Sequence, residues 1–164
     1  MKRVVFISAV SGIGKSSTCK FIKDSNILSD YVVYDIDVLE NVNDYNEKTY
    51  DLFYKNAIKK AFQKSGDKNI IIGSCINPGD IKRINLLETN EVIMILLTCS
   101  NEELTRRLKS RDKKRNNSSD EFINSQIEYQ NYLIKHESEY QFHIDNTNKD
   151  VETIGEEIIY FIKS

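Results

Sequence analysis

The chain has 164 residues, 40% of them hydrophobic and 29% charged, with a formal net charge of −2. That length fits one core, the composition is that of an ordinary globular protein, and the charge balance argues against a general nucleic-acid or membrane-surface binder. No apolar run approaches the roughly 18 residues that a membrane span needs, and the N-terminal MKRVVFIS leads straight into a glycine motif with no small-residue cleavage site, so the expected location is cytoplasmic.

Short β-rich apolar runs alternate with segments of helical period. The first run, Arg3–Ser8, is followed by a glycine loop and a helix expected over 15–23. The second run, Tyr31–Asp35, precedes a helix expected over 47–65, with Leu52, Phe53, Ala57, Ala61 and Phe62 as its apolar positions. The third and fourth runs lie at 69–72 and 92–97. Ser100-x-x-Glu103 reads as a capping box opening a helix that carries Leu104 and Leu108. Ser118-x-x-Glu121 reads as a second box, and beyond it Ile123, Ile127 and Ile134 share one stripe that Phe122, Tyr129 and Leu133 widen. A weaker run at 141–144 and a helix capped by Asp150, with Val151, Ile154, Ile158 and Ile162 on one side, complete the pattern. Four of the five runs are continuous rather than alternating, as in strands covered on both faces. Strand–helix alternation repeated about five times implies a parallel α/β sheet with ligands at the strand C-termini. One domain is expected over 1–164, with a lid segment at about 106–119.

The sharpest motif follows the first run. Ala9-Val10-Ser11-Gly12-Ile13-Gly14-Lys15-Ser16 is G-x-x-x-x-G-K-[ST] with alanine in the first glycine place. Gly12 and Gly14 let backbone N–H groups, including those of Ser11 and Ile13, turn inward onto phosphate oxygens. The helix opening at Lys15 adds free N–H groups and a positive dipole end. Lys15 then reaches the β and γ phosphates, the Ser16 hydroxyl ligates Mg²⁺, and Ser17 adds a hydrogen bond. Ala9 is tolerated if its φ is negative. The ligand expected is a nucleoside triphosphate, ATP with Mg²⁺.

The second run ends Asp35-Ile36-Asp37. On an extended chain both carboxylates face one site. Transfer of a phosphoryl group to a hydroxyl needs one carboxylate to hold the water shell of Mg²⁺ and one to orient the acceptor and take its proton. Beyond the pair, Glu40 and Asn41 are candidates for contact with a polar substrate, and Tyr45, Tyr50, Phe53 and Tyr54 for stacking on a base or sugar, although amphipathic packing explains the aromatics equally well. The third run ends Ile70-Ile71-Ile72-Gly73-Ser74-Cys75, without the acid of a motor ATPase, and Asn148-Lys149-Asp150 lacks the aspartate spacing of a guanine reader. Arg107, Arg111 and Arg115 recur every four residues and form one stripe if the helix continues, as cations for the moving phosphate. Asp145-Asn146-Thr147-Asn148, after the last run, is placed to lie over a nucleotide base by main-chain contacts. Cys19, Cys75 and Cys99 lack C-x-x-C spacing and read as ordinary thiols.

The order of these motifs resembles the nucleoside/nucleotide kinase branch of P-loop proteins, which includes adenylate, shikimate and gluconate kinases. The resemblance spans nearly the whole chain. It implies a three-layer αβα fold, a five-stranded parallel sheet of order 2-3-1-4-5, and ATP as phosphoryl donor. It assigns Lys15 and Ser16 to phosphate and Mg²⁺, Asp35 and Asp37 to metal water and acceptor hydroxyl, Arg107 and Arg111 to the lid, and Asn146 and Thr147 to the nucleotide. Gly73-Ser74-Cys75-Ile76-Asn77-Pro78 and VIMILLTCSNEELTRRLKSR resemble bacterial proteins labelled AAA-family ATPases or nucleotide kinases. The chain departs from shikimate kinases in lacking a triple-glycine motif after the third strand, and from nucleoside-monophosphate kinases in lacking a clear arginine after the second. The expected activity is ATP-dependent phosphorylation of a nucleoside, nucleotide or similar small acceptor, by a monomer or homodimer. The alternatives are a sugar-acid or antibiotic phosphotransferase, a non-catalytic ATP-binding regulator and, on the basic cluster alone, an RNA 5′-end kinase.

Overall fold

The computed structural model describes residues 1–111 and 119–164. Five parallel strands form one sheet: β1 (Arg3–Ser8), β2 (Tyr31–Asp35), β3 (Asn69–Ser74), β4 (Glu91–Thr98) and β5 (Phe142–Asp145), in the order β2-β3-β1-β4-β5. Seven α-helices flank it among the described residues: α1 (Lys15–Ser25), α2 (Ile36–Leu39), α3 (Tyr50–Ser65), α4 (Pro78–Ile84), α5 (Asn101–Lys109), α6 (Asp120–Lys135) and α7 (Val151–Lys163). None of them is long and apolar enough to cross a membrane.

Burial follows position in the sheet. On central β1, Val4, Val5, Phe6 and Ile7 are fully buried, as are Ile70, Ile71 and Ile72 on β3 beside it. Continuous β-branched runs of this kind suit strands packed on both faces. The edge strands β2 and β5 are mostly half-buried, which explains why the last run was the weakest signal in sequence. The register pairs Ser8 with Ser74, and Asp35 with Gly73, so the ends of β1, β3 and β2 lie side by side.

Several local expectations are corrected. Residues 47–49 form a 3₁₀ turn, and α3 begins only at Tyr50; Leu52 on it is exposed. On α6, Ile123 and Leu133 are buried but Ile134 is exposed. Val151 is likewise exposed at the start of α7, whereas Ile154, Ile158 and Ile162 are buried. The cap of α6 is Ser119, whose side chain accepts from Phe122 N–H; Ser118 lies outside the described residues. The box at Ser100 is half made: its hydroxyl accepts from Glu103 N–H, but the Glu103 carboxylate turns to Arg106 and Arg107 instead. Those two cations hold that carboxyl down to about 2. Helix α5 stops at Lys109 with Ser110 as its cap, so the arginine stripe does not run on as helix to Arg111. Of the expected lid, residues 112–118, Arg115 among them, lie outside the described residues.

Two short helices were not foreseen. Helix α2 caps the end of β2. Helix α4 starts from a reciprocal box in which Asn77 Oδ1 accepts from Asp80 N–H at 3.0 Å and Asp80 Oδ2 accepts from Asn77 N–H at 2.9 Å. Pro78 occupies the first helical turn, where no N–H is needed.

Candidate active site

The chain leaves β1 at Ser8 and enters a loop whose shape depends on two glycines. Gly12 and Gly14 hold φ of 91° and 96°, a left-handed conformation that strains any residue with a Cβ. Gly14 also caps α1. Ala9 needs no such freedom. It is fully buried, and Asn26 and Asn85 alone among the described non-glycine residues have positive φ, so alanine serves in the first glycine place.

The loop is tied down on every side. Ala9 N–H donates to Ser74 O at 3.2 Å. Ile13 O accepts from Asn146 Nδ2 at 2.8 Å and from Arg107 Nη1 at 3.3 Å. Ser11 N–H donates to Gln126 Oε1 on α6 at 3.0 Å. Lys15 Nζ donates to Ala9 O at 2.7 Å and to Cys75 Sγ at 3.0 Å, which places the ammonium at the boundary between this loop and the one after β3.

Gly73 makes the next feature possible. A Cβ there would stand 2.6 Å from Cys19 Sγ on α1, so its absence lets the first turn of α1 lie close against the sheet between β3 and β2. Ser16 then reaches across, and its hydroxyl donates to Asp35 Oδ2. Asp35 Oδ1 accepts from Asp37 N–H at 3.1 Å. Asp35 and Asp37 do share one site, but not by strand alternation: Asp35 is the extended cap of α2 and Asp37 lies within that helix. The cap geometry brings both residues to the cleft that Lys15 also lines. Partial burial, and then the negative charge of Asp35, raise the Asp37 carboxyl above the usual range, while Lys15 opposes the rise. Asp37 makes no side-chain hydrogen bond to a described residue.

These groups open into a cleft of about 950 Å³ at the C-terminal edge of the sheet. On its far wall, Tyr50, Phe53 and Tyr54 are the stacking candidates of the sequence, whereas Tyr129 and the loop after β3 carried no site assignment there. The Tyr129 hydroxyl donates to Cys75 O at 2.7 Å and accepts from Asn77 Nδ2 at 3.1 Å. Ser8 Oγ donates to Ile76 O at 2.6 Å, which fixes the same loop to β1. Burial pushes the phenols of Tyr54 and Tyr129 up, so both stay protonated. Tyr50, Phe53 and Tyr54 from α3 and Phe122 from α6 supply aromatic surface. The signal that locates this wall in sequence is Asn77-Pro78-x-Asp80, a cap followed by proline and an acid.

Other predicted residues lie elsewhere. Arg107 is not on the cleft wall: its guanidinium donates to Ile13 O, to Asn146 Oδ1 at 3.2 Å and to Glu103 at 2.8 Å. The Asn146 side chain is buried beneath the phosphate loop. Thr147 Oγ1 donates to Asp145 at 2.6 Å and accepts from Ser100 N–H at 2.9 Å. The side chains of Asn146 and Thr147 are thus engaged within the protein. Ser17 is exposed on the first turn of α1. Arg111 is half-buried just beyond α5, outside the cleft lining. Glu40 turns away to pair with Lys60 at 2.7 Å, and Asn41 caps a 3₁₀ turn, so neither lines the cleft. Tyr45 packs edge-on against Phe53 at 5.4 Å, as amphipathic packing required.

Among the described residues no three His, Cys, Asp or Glu side chains gather to hold a metal. The oxygen pair of Ser16 and Asp35 nevertheless suits Mg²⁺, which keeps most of its water and takes few protein ligands beside phosphate.

A glycine-bounded phosphate loop between β1 and α1, in an all-parallel sheet of order 2-3-1-4-5, defines a three-layer P-loop protein of the nucleotide and small-molecule kinase-like type. The family model described as AAA domain matches residues 5–129, and the chain belongs to that family. Three solved structures are similar over nearly the whole chain. A gluconokinase from Sinorhizobium meliloti 1021 has a TM-score of 0.70 at 13% identity, covering 98% of this chain and 91% of its own. A shikimate kinase from Acinetobacter baumannii, in complex with shikimate, has 0.68 at 12%, covering 99% and 93%. A shikimate kinase from Bacteroides thetaiotaomicron has 0.62 at 15%, covering 98% of both chains. Identities this low establish the shared fold alone. No curated protein matches the sequence significantly.

Proposed function

We propose that this protein is an ATP-dependent kinase that transfers the γ-phosphoryl group to a hydroxyl of a small molecule bound in the cleft. The observation that carries the reading is the meeting in one cleft of Lys15 and Ser16, at the start of α1, with Asp37, whose carboxylate has no hydrogen-bond partner among the described residues. Asp37 is exposed to the cleft beside Lys15, where desolvation and the Asp35 carboxylate both work against its charge.

In this proposal the backbone N–H groups of residues 11–16 cradle the phosphates. Lys15 leaves Ala9 O and Cys75 Sγ to meet the β and γ phosphates. Ser16, with Asp35 through water, would hold Mg²⁺, which when bound neutralises charge on the phosphate oxygens. Asp37 accepts the acceptor's hydroxyl proton as the new O–P bond forms and the bond to the β-phosphate oxygen breaks, releasing ADP. Arg107 acts from behind the loop, holding Ile13 O so that the cradle keeps its shape, and Asn146 shares that task. Arg111 is assigned to the transferring phosphate, and the main chain at Asn146 and Thr147 to the base. The protein is expected in the cytoplasm, as a monomer or homodimer.

The test is ADP release with Mg·ATP against nucleosides, nucleoside monophosphates, sugars, sugar acids and amino sugars, with Asp37→Asn beside the wild type. Acceptor-dependent release that the variant loses by about 10²–10⁴-fold, with ATP binding retained, supports the reading. ATP binding without release on any acceptor sinks it in favour of a nucleotide-binding regulator.

A further inference from the structure

The acceptor half of the cleft carries a charge pattern that narrows its ligand. Beyond Lys15 and Asp35, which face the phosphates, its lining holds four carboxylates, Asp37, Glu47, Asp51 and Asp80, against two cations, Lys48 and Arg83. Arg83 is committed. Its Nη2 bonds Asp80, and its Nε and Nη2 lie 3.4 and 3.5 Å from the two Asp51 oxygens. Lys48 is exposed at the rim, on the 3₁₀ turn before α3, next to Glu47.

Recognition of a phosphate or carboxylate on an acceptor calls for a guanidinium or ammonium whose donors are open toward it. Among the described residues one such group stands on the acceptor walls, the Lys48 ammonium at the exposed rim, against four carboxylates. Helix α6, the wall opposite α3, offers Phe122, Gln126 and Tyr129, and the chain has no arginine after Arg115. An anion placed here would meet Asp37, Asp51 and Asp80 at close quarters, in a site whose burial already raises the Asp37 and Asp80 carboxyls. What the walls do offer is aromatic surface, the Tyr54 hydroxyl, which has no partner among the described residues, and carboxylates that accept from O–H or N–H groups.

We infer that the acceptor is a hydroxyl compound bearing no phosphate or carboxylate, either uncharged or amine-bearing, with a ring or apolar face to lie on the aromatic wall. Aromatic faces attract ammonium groups and stack on flat rings alike. The inference rests on the kinase reading for the site's purpose, but its test does not require transfer.

The experiment is equilibrium titration of the full chain, saturated with Mg²⁺ and the non-hydrolysable ATP analogue AMP-PNP, with matched pairs. These are nucleosides against their 5′-monophosphates, sugars against the corresponding sugar acids, and amino sugars against the same acids. The expected result is that the uncharged or amine-bearing member of each binding pair binds at least about tenfold more tightly. A nucleoside monophosphate or sugar acid that binds more tightly than its partner overturns the inference. So does a panel in which no uncharged or amine-bearing member binds. Asp51→Asn frees one side of Arg83 and is expected to narrow the gap toward the anionic member, with Arg83→Gln widening it; a gap that neither moves overturns the assignment to Arg83. If the preference is found but no compound elicits ADP release, the kinase reading fails while this inference stands.

Discussion

The two sides of the cleft that the proposed kinase reading assigns to phosphate and to acceptor are built in opposite ways. On the phosphate side, one continuous segment makes most of the site: β1, the loop over residues 9–14 and the first turn of α1. Its working groups are largely backbone N–H, and side chains from elsewhere brace it from behind, as Asn146 and Arg107 do at Ile13 O. On the acceptor side, the working groups are side chains from α2, α3, α4 and α6, brought together by the loop after β3. A site made of backbone is conserved in shape by local geometry and says little about its partner. A site made of scattered side chains can change chemistry with each substitution. This chain therefore shares its fold with a gluconokinase and shikimate kinases while its acceptor wall keeps Arg83, its one guanidinium among the described residues, bound to two acids.

The comparison can be broken at its strongest point first. Lys15→Ala removes the ammonium that stands between the two sides, and acceptor-dependent ADP release is expected to fall by about 10²–10³-fold or more, measured at saturating Mg·ATP. A fall of less than about tenfold would mean that the cleft does not work around this lysine. Next is the bracing of the loop. Asn146→Ala leaves Ile13 O and the Arg107 guanidinium short of a buried partner, and a loss of about 1–3 kcal/mol of unfolding free energy is expected, read by chemical denaturation, together with weaker ATP binding. If stability drops and ATP affinity does not, Asn146 holds the fold and not the cradle.

On the acceptor side, Tyr129→Phe removes one hydroxyl that bridges Cys75 O and Asn77. A loss of about 0.5–1.5 kcal/mol is expected, with KM for the acceptor rising and ATP affinity unchanged. Equal effects on both ligands would show that the two sides are not built independently.

The smallest expected effect is a titration. Because burial and Asp35 raise the Asp37 carboxyl, its midpoint by carboxyl NMR lies above the roughly 3.9 of a free aspartate, and Asp35→Asn lowers it part of the way. The folded-state value is the higher one, so the native protein binds the extra proton between the two midpoints. The Asp37 contribution to stability then falls as pH rises through that window. A midpoint at or below the free value would remove the electrostatic argument for Asp37 as base.

Much of this was legible in the chain itself. Continuous runs such as Ile70–Ile72 named the buried strands, because a strand covered on both faces needs apolar residues at every position. The glycine loop between β1 and α1 was legible, because positive φ at Gly12 and Gly14 admits few residues besides glycine. Ser16 and Asp35 were each readable as metal-side residues from motif and order, and the fold bonds them to each other. Errors came where a local rule had a competitor. Glu103 was expected to complete a capping box, but two arginines on its own helix face drew it away. Asp35 and Asp37 were expected to align by strand alternation, whereas a short helix turns them to the same side.

What sequence alone determined here is the part of the protein that is contiguous: the strand, glycine loop and helix within residues 3–25. Tertiary structure decided the rest. It placed Arg107 and Asn146 under the loop rather than in the cleft, brought Tyr129 to Cys75 from 54 positions away, and set Asp51 and Asp80 around Arg83. The physical reason is that backbone donors are positioned by local dihedral angles, which short motifs specify. The charge state and reach of a side chain depend on which neighbours the packing of distant helices provides.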